Sequence, residues 1–251
     1  MKFRFKAFGL HLLASSVALS AILGSLYLGW YRWPGWVLTD VTRVVMVMVG
    51  VDVVLGPTLT FIIARSSKSR RELTRDIGVI VALQLCALGY GAASLWNGRP
   101  MYYAFSEGIL QVVQAYDING EEAARGRQQN PELAPHWYSL PRWVWAPLPK
   151  NPDERAKIVQ SAISGGDDVI SMPRYFKPWG DGLNGVRANL KKVDNVAYFA
   201  PKEKETLKER MRAAGFSTDE LNAMPLTGRG HPLLAVIDPA TATIKAILRA
   251  K

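Results

Sequence analysis

The stretch VMVGVDVVLGPTLTFII, residues 47–63, is apolar enough to belong to a membrane-spanning helix. It nevertheless carries a carboxylate, Asp52, near its middle, and a Gly56-Pro57 pair four residues later. Two further apolar runs lie on either side, so the sequence predicts spans at about residues 10–30, 44–64 and 77–96. Each has about twenty residues, the length that crosses roughly 30 Å of hydrocarbon as a helix.

The rest of the chain has the composition of a water-soluble domain. We therefore expect a membrane protein with two parts: a three-helix transmembrane module over 1–96 and an extracytoplasmic α+β domain over 97–251 with a small antiparallel sheet. Glu107-Gly108 predicts the turn of a first hairpin, and Asp238-Pro239 that of a last one. The elements predicted for this domain are strands within 101–118, a loop over 126–150, helices at 152–163, 184–193 and 202–214, a short helix from Ser217 to Ala223, and strands at 233–237 and 243–248.

The first apolar run allows two interpretations. Basic residues precede it, and Ala18 and Ser20 supply the small-x-small pattern of a signal-peptide cleavage site. The run continues for ten more residues to Trp30, which is too long for a cleaved segment. We therefore expect an uncleaved membrane anchor.

Basic residues in short loops predict the orientation. Two of them, Arg32 and Arg43, lie between the first and second spans. Eight lie before the first span or between the second and third, which predicts that both of these segments are cytoplasmic and that 97–251 is outside the cytoplasm. These eight are Lys2, Arg4, Lys6, Arg65, Lys68, Arg70, Arg71 and Arg75.

Asp52 is the least expected residue of the second span. A carboxylate at the centre of a membrane helix costs about 2.5–3.5 kcal/mol to insert, a large part of what the surrounding aliphatic residues contribute. Three interpretations are open: a polar group that fixes packing within the bundle, a groove that receives a partner's membrane segment, or a proton or ion relay. The relay lacks a second charge within the membrane. For the groove, Asp52, Gly56 and Pro57 are the candidate partner-binding residues, because Gly56 permits close backbone approach and Pro57 bends the helix.

The depth of Asp52 predicts its neighbours. At about 1.5 Å per residue, Asp52 lies roughly 18 Å from the cytoplasmic end of its span. Counted from the ends of the other two apolar runs, the same depth falls near Ser20 and Gly89. Tyr90 is adjacent to Gly89, and Gln84 is one to two turns below, so partners inside the bundle are available.

Composition excludes several classes of function. The formal net charge of +10 divides into +6 over residues 1–96 and +4 over 97–251, so most of the excess lies beside the membrane. The outer domain has no basic stripe interleaved with aromatics, and we expect no nucleic-acid binding. Cys86 is the only cysteine and lies in the third span, which excludes an intrachain disulfide and a cysteine metal site.

The outer domain offers little catalytic chemistry. His136 and His231 have no evident partners, and we interpret the Asp167-Asp168 pair as a solvated turn. We expect no catalytic residue, no metal and no cofactor, and hence no enzyme; the alternative is a membrane-anchored periplasmic enzyme of unknown reaction. The Trp- and Pro-rich stretch 135–149 is either a loop packed on its own domain or a partner surface, for which Trp143 and Trp145 are the candidates.

Several segments together resemble the type IV pilin accessory proteins of the TfpX/TfpZ group. They are GVDVVLGPTLTFII at 50–63, YGAASLWNGRPMYYAF at 90–105, DERAKIVQSAISGGDDVISMPRYFKPW at 153–179, and the terminal hairpin. The most specific parts are the D-x3-G-P-x-L-T element that begins at Asp52 and the Arg99-Pro100 pair.

The resemblance implies a factor of the bacterial inner membrane that accompanies a particular type IV pilin. Its expected partners are that pilin, possible additional membrane proteins of pilus assembly, and the lipid bilayer. The implied role is chaperone-like, on pilin stability, pilus assembly or pilus dynamics, without catalytic residues. A cytoplasmic N-terminus and a periplasmic C-terminal domain fit this role, because an unassembled pilin has one membrane helix and a periplasmic head.

Overall fold

The computed structural model describes residues 2–64, 68–218 and 222–250 of the chain. Arg65 and Lys251 lie outside the described residues. The chain divides into two compact units. One is made of Met1–Arg32 and Val41–Gly98, and the other is made of Trp33–Asp40 and Arg99–Lys251.

The first unit has the three predicted membrane-length helices. Each is apolar over at least 18 residues and has few buried side chains, as expected for helices that face lipid rather than a protein core. The prediction of three spans followed by an α+β domain is confirmed. The helices cover Lys2–Tyr31, Thr42–Ile63 and Arg70–Asn97, and we refer to them as the first, second and third span.

The second span changes its hydrogen bonding around Asp52. It begins as an α-helix at Thr42–Val49, widens to a π-helix over Gly50–Leu55, and returns to an α-helix at Gly56–Ile63. The amide of Gly56 accordingly donates to Val51 O, five residues back. Pro57 has no amide hydrogen to donate, so the wide turn ends where the regular ladder would already be interrupted.

The third span begins earlier than its apolar run. Ser69 caps it in a reciprocal capping box with Glu72, so the helix starts at Arg70 rather than near residue 77. This earlier start changes which residues of the neighbouring spans are expected at the depth of Asp52. The predicted neighbours Ser20 and Gly89 were counted from the first apolar residues. The same rise counted from the helix starts, Lys2 and Arg70, reaches about Ala14 and Ala82 instead, and Ala82 is two residues before Gln84.

The second unit contains a seven-stranded sheet that both predicted hairpins share. The strands are β1 Pro100–Ser106, β2 Ile109–Gln114, β3 Arg142–Trp145, β4 Lys177–Pro178, β5 Asn222–Thr227, β6 Leu233–Ile237 and β7 Ile244–Arg249. Their order in the sheet is β4-β3-β1-β2-β5-β6-β7. The sheet is mixed rather than antiparallel, because β1 pairs in parallel with β3 and β2 in parallel with β5.

The first hairpin has the predicted turn. Glu107 and Gly108 both have positive φ, at 43° and 89°, as a tight two-residue hairpin loop requires. Buried side chains line both faces of the sheet. Leu110 and Leu226 belong to the cluster on one face, and Tyr102 and Val113 to a cluster on the other.

The helices of this unit agree with the predictions in part. The stretch 126–150 was predicted as a loop, but its first residues end a helix and Arg142–Trp145 form β3. The short helix predicted from Ser217 to Ala223 is also wrong at its end, because β5 begins at Asn222; residues 219–221 lie outside the described residues. The main helices are Gly120–Gln129, Pro152–Ile163, Leu183–Asn189 and Pro201–Ala213.

A short segment between the first and second spans belongs to the second unit. Gly230 N donates to Leu38 O at 2.7 Å, and His231 N donates to Val37 O at 3.2 Å. Leu38 is fully buried in one of the sheet's clusters. A Cβ on Gly230 would lie 2.0 Å from Val37 O, and one on Gly228 would lie 2.3 Å from Leu38 O, so this approach of two backbones requires glycine.

Candidate functional site: a cavity among the membrane helices

A cavity of about 200 Å³ lies among the three spans of the first unit. Side chains of the first and third spans form most of its lining, and Asp52 is the residue that the second span contributes. The lining residues are His11, Ala14, Ser15, Ala18, Asp52, Val81, Gln84, Leu85 and Leu88.

The walls of this cavity are exposed side chains, whereas its polar floor is buried. Ala14 and Ala18 of the first span and Val81 and Leu85 of the third are exposed on the unit's surface. Asp52 retains only 3% of its accessible surface. The cavity is therefore a groove whose walls are exposed on the side of the three helices.

Asp52 and Gln84 are linked at the floor. Gln84 Nε2 donates to the main-chain carbonyl oxygen of Asp52 at 3.2 Å, which fixes the orientation of the amide. Gln84 itself is 8% exposed. Asp52 Oδ2 and Gln84 Oε1 are both buried, and neither has a hydrogen-bond partner among the residues that the structure describes. The groove thus has two unpaired oxygen atoms at its base, each costing about 1–3 kcal/mol if it stays unsatisfied.

His11 is a second titratable residue on the same cavity. Its Nδ1 lies 2.6 Å from Thr60 Oγ1, and Thr60 is buried in the second span. The relay interpretation was predicted to lack a second ionisable group within the membrane, and that prediction is wrong, because His11 of the first span lines the same cavity as Asp52. The signal was present in the sequence, since an ionisable residue inside an apolar span is unusual and often functional.

The other two predicted residues of the membrane site follow Asp52 in the second span. Gly56 and Pro57 are both buried. A Cβ on Gly56 would come within 2.0 Å of Gln84 Nε2, so glycine leaves the space in which Gln84 reaches Asp52. The structure brings Asp52 and Gln84 together at the surface of the cavity and places Gly56 beneath them; their binding of a partner stays a prediction.

Trp143 and Trp145, the predicted partner-binding pair of the outer domain, lie in β3 and are half-buried. Trp143 packs with its ring centroid 4.8 Å from that of Tyr103 and 5.6 Å from that of Trp179. The same burial raises the pKa of the Tyr103 phenol. Much of each indole is therefore used inside the domain, and their role in binding stays a prediction.

A more exposed aromatic group lies close by in the chain. Trp137 is 72% exposed and Tyr138 is 59% exposed, and the Tyr138 ring stacks on His136. Arg99 Nη2 donates to Trp137 O at 3.5 Å. Trp137 and Tyr138 belong to the aromatic stretch 135–149, but Trp143 and Trp145 were the predicted partner-binding residues, because periodicity does not reveal which aromatic side chains the sheet covers.

The residues considered for catalysis have structural contacts. Asp167 Oδ2 accepts a hydrogen bond from Asn119 Nδ2 at 2.5 Å, and Asp168 Oδ1 accepts from Val169 N at 2.6 Å, capping a short 3-10 helix. His231 uses its amide to hold the segment that contains Val37. Within 2–64, 68–218 and 222–250, no cluster of three or more His, Cys, Asp or Glu side chains could hold a metal ion.

The fold and the groove define a class: a membrane protein with three candidate spans, a second unit built on a mixed sheet, and a polar site buried among the spans. No family model matches the chain, and no solved structure gives a significant match.

Three curated proteins of Dichelobacter nodosus are similar to the chain. The fimbrial assembly protein of serogroup E1 is 25% identical over 241 residues, which are 94% of this chain and 91% of that protein. The fimbrial assembly protein of serogroup I is 24% identical over the same shares of the two chains. The fimbrial assembly protein of serogroups C1 and C2 is 28% identical over 116 residues, 46% of this chain and 88% of that protein. The similarity supports a relation to pilus assembly proteins, and it does not single out the TfpX/TfpZ group.

Proposed function

We propose that this protein is an inner-membrane accessory factor that binds a type IV pilin before or during pilus assembly. The similarity to fimbrial assembly proteins extends over almost the whole chain, which supports a role in the process. The observation that carries the proposed mechanism is the groove, because a buried carboxylate at the base of a laterally open cavity fits the reception of another membrane helix.

In this proposal each part of the chain contacts the matching part of the pilin. The groove receives the pilin's apolar helix, and the outer domain, on the periplasmic side, contacts its head. Small side chains at Ala14 and Ala18 favour this mode of binding, since small residues four apart let two membrane helices approach closely. The protein acts by holding the pilin and not by chemical catalysis, and its N-terminus is cytoplasmic.

Photocrosslinking within the membrane tests this proposal with a matched pair of positions. Leu85 and Leu83 are both leucines of the third span and both are exposed, at 63% and 67%, but only Leu85 lines the groove. A photoreactive residue at Leu85, in cells that also produce a type IV pilin, is expected to capture that pilin. The same residue at Leu83 is expected to capture much less.

The captured peptide is identified by mass spectrometry. Crosslinks to the pilin's membrane helix support the proposal. Equal pilin capture from both leucines, or no pilin capture from Leu85 while the protein is inserted and abundant, contradicts it.

A further inference from the structure

The two unpaired oxygens at the base of the groove indicate what kind of group enters it. Asp52 Oδ2 and Gln84 Oε1 are acceptor atoms that are buried within the unit and lack a partner. Both residues are more than nine-tenths buried and line one cavity. Buried acceptors of this kind are normally satisfied, by protein or by water, and both belong to residues that line this cavity, so a donor that enters it supplies the kind of group they lack.

We infer that the groove recognises a hydrogen-bond-donating side chain, an amide or an ammonium group, on a transmembrane helix that enters between the first and third spans. The partner's identity as a pilin rests on the proposed function. The chemistry of recognition does not, because it follows from the acceptors alone.

The dimensions of the groove fit one side chain of a helix. A volume of about 200 Å³ is below the roughly 300–1,000 Å³ of pockets that enclose a small-molecule ligand. At the end of the unit that contains Tyr31, the first and third spans meet, since Tyr31 Oη donates to Leu95 O at 2.6 Å. Farther from this end, the cavity lies between the first and third spans, and its wall on the first span is made of small residues such as Ala14 and Ala18.

The second span holds the acceptors in place. The π-helical turn over Gly50–Leu55 contains Asp52, and Gln84 is oriented by its bond to the main chain of that turn. Gln84 Nε2 uses one of its two hydrogens in this bond, and Gln84 Oε1 accepts no hydrogen bond from the described residues, so Gln84 Oε1 is available to a donor that enters the groove. The groove therefore distinguishes a helix with a donor at this depth from a purely apolar helix, which would leave both oxygens unsatisfied.

A pair of synthetic helices tests the inference without a pilin. Two apolar peptides of about 20 residues are compared, one with a central Asn and one with a central Leu. Each is mixed with the full-length protein in lipid vesicles, with a photoreactive residue at Leu85 or, as the control, at Leu83. We expect the Asn peptide to crosslink at Leu85 at least about fivefold more than the Leu peptide, the ratio that about 1 kcal/mol produces. At Leu83 the two peptides are expected to be equal.

Substitutions at the floor complete the test. Asp52→Leu and Gln84→Leu are each expected to lower the ratio of Asn-peptide to Leu-peptide crosslinking toward one. Two variants are used so that the test still stands if one of them misfolds. Equal capture of both peptides by the wild-type chain overturns the inference, as does a preference that neither variant changes. Capture of lipid alone, or of a second copy of this chain, at Leu85 assigns the groove to another occupant and also overturns it. A preserved Asn preference without pilin capture would contradict the proposed function only.

Discussion

Gly56 lies directly against the end of the Gln84 side chain: a Cβ atom at Gly56 would stand 2.0 Å from Gln84 Nε2 and 2.4 Å from Gln84 Oε1. Nε2 is the atom that donates to Asp52 O, and Oε1 is the acceptor without a partner among the described residues. The contact explains why a glycine precedes Pro57 in the second span, and it ties the two polar residues of the groove to a position that does not itself line it.

Gly56→Ala is expected to displace the Gln84 amide from Asp52 O. The displaced atoms are the far end of a flexible side chain, so the variant should still insert and accumulate. We expect pilin capture from Leu85 to fall at least about fivefold, the effect of about 1 kcal/mol.

Gly89→Ala is the matched control, because a Cβ at Gly89 meets nothing within 4 Å. Pilin capture from Leu85 in this variant should equal that in the wild type. Normal capture by the Gly56 variant would show that the position of Gln84 does not matter to binding.

Substitutions of Asp52 distinguish between a neutral and an anionic carboxyl group. If the group is neutral and hydrogen-bonded, Asp52→Asn should leave pilin association almost unchanged, and Asp52→Leu should reduce it because only Leu removes the polar atoms. If the group pairs as an anion with a cationic donor, both variants should reduce association at unchanged abundance. The measurement is pilin co-purification from solubilised membranes. Normal piliation with both variants would leave Asp52 without a role in the groove.

Glu122 is expected to be important for the stability of the second unit. It is buried, and it accepts hydrogen bonds from Arg174 and, at 3.3 Å, from Arg125. Removing one member of a buried ion pair costs about 3–5 kcal/mol, because the remaining charge is left uncompensated. Glu122→Leu should therefore lower the Tm of this unit by about 6–20 °C, measured by tryptophan fluorescence.

The neighbouring Glu121 supplies the control. It also pairs with Arg125, but its side chain is 70% exposed. Glu121→Leu should change the Tm by no more than about 2 °C, since exposed pairs contribute little. A similar decrease in Tm for the Glu122 and Glu121 variants would contradict the expectation that the buried ion pair contributes more stability than the exposed one.

Trp143 and Trp145 can be tested for binding apart from packing. Ala at both positions should lower the Tm strongly, because each indole packs against the sheet. Phe at both positions keeps most of that packing. We expect the Phe pair to leave the Tm within a few degrees and to reduce pilin co-purification, whereas Trp137→Phe, at an exposed position, should do neither. Unchanged co-purification by a folded Phe pair would assign both residues to the core alone.

Topology is the remaining prediction. Reporter fusions after Lys68 and after Lys251 are expected to report opposite compartments, cytoplasmic and periplasmic, because eight basic residues against two favour that orientation. The control is a pair of charge-swapped chains in which basic residues are moved from one loop to the other. The same compartment from both fusions of the natural chain would exclude three spans in this orientation.

The sequence determined the parts of this protein that depend on local chemistry. The lengths of the apolar runs determined the three membrane-length helices, since a helix rises by a constant amount per residue. Glu107-Gly108 predicted the turn of the first hairpin, because glycine accepts the positive φ that a two-residue hairpin loop needs. The sequence also identified Asp52, which is conspicuous because it is a carboxylate in an apolar run.

The tertiary structure decided which residues meet. Apolar composition marks where a span crosses lipid, but the packing of the second span against the third brings Gln84 to Asp52. His11 lines the same cavity because the first span also packs there. Likewise, nothing local indicates that Leu38, from between two spans, is buried against the sheet, or that β2 and β5 pair in parallel. Such contacts join distant parts of the chain, and their geometry is set by the packing of whole helices and strands, which no short stretch of sequence encodes by itself.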